Sequence, residues 1–304
     1  MKAVRLYLIV LPLLALLATG CEEDVVAVLN AEYPYSMYGV LNPLADTQFV
    51  RVFEVDATLV PGEERPLDAR FVSRDLQTGE ERVWRDSLIA ISDGTVGHVF
   101  YSPFRVEWEH AYRLTISGSE GRESYVEVEV PLRSNLIVDA PDTTSRVLLP
   151  AHIEGQPENV FNSEVEVRVK YVIGTDPAGN PFYENLRWPI PFDDGLRRTA
   201  TGWRVEVDLD EAYVDVAGEV LRDFRYQARY GIALQLISFS AVVGNEEWAP
   251  PGGVFDPNVL IQPGAFSNVQ NGFGFVAAGY TLQRSWTLPF EVVRKSNFVP
   301  NQPG

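Results

Sequence analysis

The chain has 304 residues, a formal net charge of −17 at pH 7 and one cysteine. This acidic balance repels the phosphates of nucleic acids and anionic lipid head groups, which argues against nucleic acid as a partner. With one thiol an internal disulfide is excluded, and a length prior of roughly 150 residues per domain predicts two domains stabilised by packing.

The first predicted element is a lipoprotein signal peptide over residues 1–20. A basic start and an apolar run over residues 6–17 precede Ala18-Thr19-Gly20-Cys21. These four residues resemble the Leu-Ala-Gly-Cys consensus of bacterial lipoproteins, from which they depart in the first two positions. We therefore expect lipidation of Cys21 and anchoring in a bilayer. An ordinary secretory signal or a transmembrane anchor is the alternative, but the run is shorter than the roughly 20 apolar residues that a spanning helix needs.

Residues 21–32 are predicted to be the lipidated cysteine and its tether. Glu22, Glu23 and Asp24 follow Cys21 directly. They resemble the acidic export signal that sends lipoproteins of Bacteroidota-type bacteria to the outer face of the outer membrane. The alternative is a solvated start to the tether, which would leave the protein facing the periplasm.

Short alternating strands dominate residues 33–133. Residues 112–116 and 125–130 flank a glycine-containing turn and predict a hairpin, which Pro131 ends because it has no N–H for the ladder. A second hairpin is predicted around Gly79. About 100 residues of this pattern predict an immunoglobulin-like sandwich, without the cysteine pair of antibody domains.

Residues 136–304 are predicted to form a second, larger antiparallel β domain, a sandwich or barrel-like unit. Residues 165–171 and 203–209 alternate apolar and charged side chains, as half-buried strands do. One short helix is predicted over residues 211–224, with Asp210 as its cap. Residues 224–243 predict a central strand. The fold class is thus all-β, with at most one or two short helices.

A family resemblance appears at residues 266–275. Ser267, Asn268, Gly272 and Gly274 match the Ser-Asn-Ile-x-x-Gly-x-Gly signature of an uncharacterised lipoprotein family, the domain of unknown function 4249. The hairpin of residues 112–130 is similar to that family as well. The resemblance implies an envelope lipoprotein associated with a TonB-dependent outer-membrane receptor, and it supplies no catalytic residues.

The same segment has two readings in physical terms. Asn271-Gly272 predicts a tight turn with Gly272 at positive φ, and Gly274 predicts a close backbone approach. The segment is then a structural turn into the final strand of the second domain. Alternatively, Ser267 and Asn268 contact a partner or a ligand.

Catalytic and metal signatures are weak. Gly272-x-Gly274-x-x-Ala277 formally fits a dinucleotide fingerprint, but its strand-like context does not. The three histidines lack zinc-ligand spacing, and the acidic group Asp208, Asp210, Glu211 and Asp215 lacks the glycine of a calcium loop. We expect no metal, no cofactor and no enzymatic activity.

Tryptophan offers the remaining candidate sites. Most of the tryptophans are predicted to lie in the core, whereas Trp248 and Trp188 stand beside prolines and are candidate contacts for a glycan or peptide ligand. The sequence therefore favours a non-enzymatic binding or accessory subunit. The alternatives are a hydrolase acting on an extracellular polymer and a purely structural surface protein.

Overall fold

The structure, a computed structural model, describes residues 33–55, 66–90, 96–119, 121–191, 196–248 and 267–301. The first strands are β1 (Tyr35–Leu41), β2 (Gln48–Glu54), β3 (Ala69–Asp75), β4 (Glu81–Val83), β5 (Arg85–Ala90), β6 (Val96–Ser102), β7 (Ala111–Gly118) and β8 (Glu123–Glu129). The chain continues through β9 (Asn135–Val138), β10 (Leu148–Glu154), β11 (Asn159–Thr175), β12 (Pro181–Pro191), β13 (Arg197–Thr199), β14 (Gly202–Asp208), α1 (Leu209–Val220), β15 (Ile232–Gly244), β16 (Gly272–Trp286), α2 (Phe290–Val293) and β17 (Val299–Pro300).

Strands β1 to β8 build an N-terminal sandwich of two packed layers. One layer has the order β4-β3-β7-β8, and the other contains β1, β2, β6 and β5. Alternate residues point between the layers, so that Val126 and Val128 of β8 are fully buried. The ring of Phe71 lies 5.0 Å from that of Trp84 and 5.2 Å from that of Phe100. This aromatic cluster fills the centre of the first core.

The second sandwich packs the layer β13-β14-β10-β9 against β12, β11 and β15. The alternating side chains of Val165, Val167 and Val169 on β11 are fully buried, as their pattern predicts. Helix α1 belongs to the same core through Val216 and Val220. The described parts of the chain contain no helix that is long and apolar enough to cross a membrane.

Strand β16 belongs to both sandwiches. Its residues 272–278 pair in parallel with β1, and residues 279–286 pair antiparallel with β15. Val276 and Ala278 are buried in the first core, whereas Tyr280 is buried in the second. The two units therefore share one continuous sheet. The predicted boundary assigned all of residues 136–304 to the second unit, but the first half of β16 packs in the first, because its parallel partner β1 lies there.

The predicted fold class is confirmed: the chain is all-β, with two sandwiches, and the helices of the described segments are short. The limits of two elements differ from the prediction. Helix α1 begins at Leu209, and Asp208 rather than Asp210 caps it, because Asp208 is still extended and its carboxylate accepts the backbone N–H of Asp210. Phe224 lies beyond the helix and is 94% exposed.

The predicted strand over residues 224–243 begins only at Ile232. Residues 228–230 form a 3₁₀ turn, and Gly231 with φ +69° redirects the chain into β15. A Cβ at Gly231 would lie 2.4 Å from a methyl group of Val299. The contact with Val299 leaves no room for a side chain at this boundary, and local alternation in the sequence does not reveal it.

The hairpin between β3 and β4 is fastened by Asp75. Its Oδ1 accepts the backbone N–H groups of Gln77 and Thr78 at 2.8 and 3.0 Å, and its Oδ2 lies 2.7 Å from Nδ1 of His110. Burial alone would raise the pKa of Asp75. The hydrogen bonds from His110 and the turn outweigh burial and lower that pKa from 3.8 to about 2.

This pKa predicts a pH-dependent contribution to stability. A carboxyl group with a lowered folded pKa stabilises the protein above its unfolded pKa, and the contribution is lost as the pH falls through about 2. Asp75→Asn is therefore expected to lower the free energy of unfolding at neutral pH by about 2 kcal/mol. Urea denaturation of both proteins between neutral pH and about pH 2 measures the difference, which should shrink below about pH 4. A difference that stays constant over this range contradicts the assignment.

Candidate functional site

The predicted lipidation site Cys21 and the export residues Glu22, Glu23 and Asp24 lie outside the described residues. The other predicted site residues fall in two places. Ser267, Asn268, Asn271, Gly272 and Gly274 lie just before and in the half of β16 that pairs with β1, and Trp248 packs against Phe275 of the same half. Trp188 stands apart from them on β12.

Asn268 fixes the approach to β16. Its side-chain Nδ2 donates to the carbonyl oxygen of Val276 at 2.6 Å, and its Oδ1 accepts the N–H of Val276 at 3.1 Å. Gln270 forms a bridge to Tyr125 of β8, and Ser267 is exposed at the start of the segment. The Asn268 amide is thus occupied by backbone groups of its own segment, the arrangement of a structural turn.

One of the two glycines of this turn differs from the prediction, and the close backbone approach predicted at Gly274 is confirmed. Asn271, with φ 52°, takes the left-handed conformation that had been assigned to Gly272. Asparagine tolerates this region better than most residues, so Asn271 makes the turn itself. Gly272 is needed for space instead, because a Cβ there would lie 2.5 Å from the carbonyl oxygen of Tyr35. Gly274 combines both constraints, with φ +110° and a Cβ position 2.0 Å from the carbonyl oxygen of Met37.

Trp248 packs over the point where β15 and β16 meet. Its indole Nε1 donates to the carbonyl oxygen of Ala278 at 2.8 Å, and its ring lies 4.9 Å from that of Phe161 and 5.3 Å from that of Phe275. A Cβ at Gly244 would lie 2.3 Å from the indole. This tryptophan therefore covers the junction and packs against Phe161 and Phe275.

Trp188 lines a cleft of about 440 Å³ between β12 and α1. It stands opposite Val167 in the β11–β12 pair, and Ile190 stands opposite Val165. Residues opposite each other in a pair project to the same side of a sheet, so Trp188 and Ile190 face the core side. Because β12 is the outermost strand of its sheet among the described residues, these two side chains lie at the margin of the core, beside α1.

The helix contributes the other wall of the cleft. The wall consists of Val214, Asp215, Gly218 and Glu219, whose spacing places them along one face of α1, and of Arg222 in the turn that follows it. The volume lies within the roughly 300–1,000 Å³ typical of small-ligand sites. Apolar surface on the strand side thus meets polar groups on the helix side.

The charges of the cleft come from α1 and the turn after it. Glu219 forms an ion pair with Arg222 one turn away, and Asp215 is exposed one turn before Glu219. The cleft therefore carries two carboxylates and one guanidinium. Planar groups of this kind each offer two hydrogen-bonding positions.

The turn that follows α1 is fixed by Asp223. Its carboxylate accepts from Nε and Nη2 of Arg225 at 2.9 and 2.8 Å, and from the hydroxyl of Tyr171 at 3.2 Å. The side-chain hydrogen bond from Arg225 is the main reason that the pKa of Asp223 falls to about 2. The end of the cleft wall is thereby tied to β11.

Gly218 has no structural reason to be glycine. It lies inside α1, where glycine costs about 0.5–1 kcal/mol relative to alanine. Its φ is not positive, and among the described residues no heavy atom outside the helix's own backbone lies within 4 Å of the position that its Cβ would take. The absent side chain does leave the wall of the cleft open at this point.

The described segments bring together no group of three His, Cys, Asp or Glu residues that could hold a metal ion. Each histidine is instead next to an aspartate, with nitrogen–oxygen distances of 2.9, 2.7 and 3.1 Å for His98–Asp86, His110–Asp75 and His152–Asp139. These pairs lie in three separate places. Asp208 caps α1, as described above, and Asp210 accepts a hydrogen bond from Asn297.

Comparison with known proteins gives little further information. No protein-family model and no curated protein matches the chain. Among solved structures it is similar to pullulanase from Anoxybacillus sp. LM18-11, with 11% identity and a TM-score of 0.21 over 72% of this chain and 27% of that one. The same enzyme complexed with maltotriose gives 11% identity and a TM-score of 0.20 over 68% and 24%. The chain thus spans about a quarter of the length of these pullulanases, and a similarity this weak indicates neither a family nor an activity.

Proposed function

We propose that the protein is a lipid-anchored outer-envelope protein that acts as a non-enzymatic binding or accessory subunit. The observation that carries this proposal is the sequence Ala18-Thr19-Gly20-Cys21 after a basic and apolar leader. A TonB-dependent outer-membrane receptor is the proposed partner, on the strength of the resemblance at residues 266–275 to a lipoprotein family. The acidic residues Glu22, Glu23 and Asp24 support a place on the cell surface.

The arrangement of the described residues supports a binding role. The shared strand β16 joins the two sandwiches, so the cleft beside Trp188 is presented on a firmly connected body. The cleft is open and is formed by β12 and α1. In the order of the shared sheet, β12 lies at the opposite end from the strands of the N-terminal sandwich, so a ligand in the cleft would bind away from that sandwich.

Cys21→Ser is expected to abolish membrane association and to leave folding unchanged, because the lipid is the proposed anchor. A fatty-acid probe measures lipidation, membrane fractionation measures membrane association, and a thermal melt measures folding. The lipidated protein should also recover a TonB-dependent receptor when it is pulled down from detergent-solubilised outer membranes. Membrane association of Cys21→Ser contradicts the anchor, and a pull-down without such a receptor contradicts the partner.

Replacing Glu22, Glu23 and Asp24 by alanine tests the place of the protein in the envelope. If these residues form an export signal, the variant should still be lipidated but should resist protease added to whole cells. Lysed cells provide the control, because both proteins should be cleaved there. Equal digestion of the two proteins on intact cells would show that the acidic residues only solvate the tether.

An extracellular polymer hydrolase is the second candidate, and one observation favours it. Asp215 and Glu219 place two carboxylates beside the same cleft, as hydrolysis of a glycosidic bond requires. Glu219, however, is engaged by Arg222. Release of reducing ends from polysaccharides, lost in both Asp215→Asn and Glu219→Gln, would establish the hydrolase and overturn the non-enzymatic proposal.

A further inference from the structure

We propose that the cleft between β12 and α1 binds a neutral saccharide. In this site the indole of Trp188 is the platform for a sugar ring, and Asp215, Glu219 and Arg222 are the hydrogen-bonding groups for its hydroxyls. This inference rests on the proposed binding function and names the ligand class of that function.

The shape of the cleft is the first argument. Gly218 weakens α1, and neither its backbone conformation nor any neighbouring atom requires a glycine. A side chain at this position would enter the space opposite Trp188 and Ile190. The helix therefore carries a destabilising glycine at the position where any larger residue would fill the cleft. A residue that lowers the stability of a helix but keeps a cleft open is typical of a binding site, because departures from local folding preferences are expected at functional sites.

The charges of the cleft select the chemistry of the ligand. An anionic ligand would meet the carboxylates of Asp215 and Glu219, and a purely apolar ligand would desolvate three charged groups. A cationic ligand would meet Arg222, which already occupies Glu219. A neutral ligand with many hydroxyls avoids each of these costs. Its neighbouring hydroxyls can donate to a carboxylate and accept from a guanidinium, while its C–H face covers the indole.

A peptide added to the sheet is disfavoured at the same place. Strand β12 is the last of the described strands in its sheet, so its outer edge is where an extended peptide would pair. Pro189 and Pro191 have no N–H to offer at this end of the strand, and proline is a usual means of blocking an exposed edge. Recognition at the cleft must therefore come from side chains, as it does for sugars.

The test uses the full lipidated chain in a detergent without a sugar head group. The probes are soluble neutral oligosaccharides of glucose, mannose, xylose and galactose, and binding is followed by calorimetry and by tryptophan fluorescence. At least one of them should bind saturably. Trp188→Ala and Gly218→Leu should each weaken that binding by about tenfold or more. Asp215→Asn should weaken it as well, whereas Glu211→Gln, which removes an exposed carboxylate of α1 outside the cleft, should not.

Gly218→Leu separates binding from folding. Leucine is a much better helix former than glycine, so the melting temperature of this variant should equal or exceed that of the wild type even though its cleft is filled. Saturable binding that survives in Gly218→Leu would overturn the site. Failure of every neutral oligosaccharide at millimolar concentration, or tighter binding of polygalacturonate or of an oligolysine, would overturn the ligand class. These outcomes leave the fractionation of Cys21→Ser and the receptor pull-down unaffected, so the two proposals fail separately.

Discussion

Replacing Gly274 by alanine is expected to lower the free energy of unfolding by about 4 kcal/mol or more, which is exceptional for a single methyl group. Gly274 has φ +110°, a conformation that residues with side chains rarely adopt. The added Cβ would lie 2.0 Å from the carbonyl oxygen of Met37, its partner in the parallel pair of β1 and β16. Backbone cannot yield as a flexible side chain does, so β1 and β16 must separate. The loss should appear as a lower urea midpoint and as faster hydrogen exchange in both strands.

Gly79→Ala is the matched control for this prediction. Gly79 also has positive φ, at +77°, but no heavy atom of the described residues beyond its two chain neighbours lies within 4 Å of its Cβ position. The control therefore carries the conformational strain of alanine without the clash and should cost about 1–2 kcal/mol. If Gly274→Ala costs no more than Gly79→Ala, the close approach of β1 and β16 is not what requires the glycine.

The strands that were predicted from local alternation are those with one face in the core. Val126 and Val128 in β8, and Val165 and Val167 in β11, are buried as their spacing predicts. Alternation reports which face of a strand is buried, because successive side chains point to opposite sides. It does not report which strand lies alongside. The sharing of β16 between the two sandwiches could not be predicted for this reason.

The turn before β16 shows the same limit at the level of single residues. Asn271-Gly272 was correctly placed in a turn, but the sequence assigned the positive φ to the glycine. Two different demands select glycine in a protein, backbone conformation and the closeness of a neighbour, and a sequence cannot separate them. Gly272 satisfies the second demand, since Tyr35 of β1 is far away in the chain and adjacent in space.

Only one wall of the cleft was predicted from the sequence. Trp188 was a candidate because of its proline neighbours, whereas the helix wall formed by Asp215, Gly218, Glu219 and Arg222 was not proposed as a site. The available signal was Gly218, a glycine in the interior of a predicted helix on a face with charged residues. This glycine indicates a cleft only if no neighbouring group explains it, and the three-dimensional structure is needed to establish that.

Asn245 connects three strands at the junction of the sandwiches. It follows β15 directly and is 2% exposed. Its Nδ2 donates to the carbonyl oxygen of Glu129 at the end of β8, at 2.8 Å, and its Oδ1 accepts the N–H of Ala278 in β16 at 3.3 Å. The backbone N–H of Asn245 also donates to the carbonyl oxygen of Ala278, at 3.2 Å. One side chain thus holds the first sandwich, the second sandwich and the strand that they share.

Asn245→Ala is therefore expected to lower the free energy of unfolding by about 3 kcal/mol, since it leaves the buried N–H of Ala278 unpaired, at about 1–3 kcal/mol, and also removes the part-buried hydrogen bond to Glu129, at about 1 kcal/mol. Urea denaturation measures the loss, and faster hydrogen exchange at the Ala278 amide places it at the junction. Asn180→Ala is the control: its amide donates to Asp176 at 2.8 Å in an exposed turn, where water replaces the bond, and should cost less than about 1 kcal/mol. Equal losses in the two variants would show that the junction gains nothing from Asn245 beyond an ordinary turn hydrogen bond. A larger loss at Asn245, with faster exchange confined to β8, β15 and β16, is the result that a polar link between the sandwiches requires.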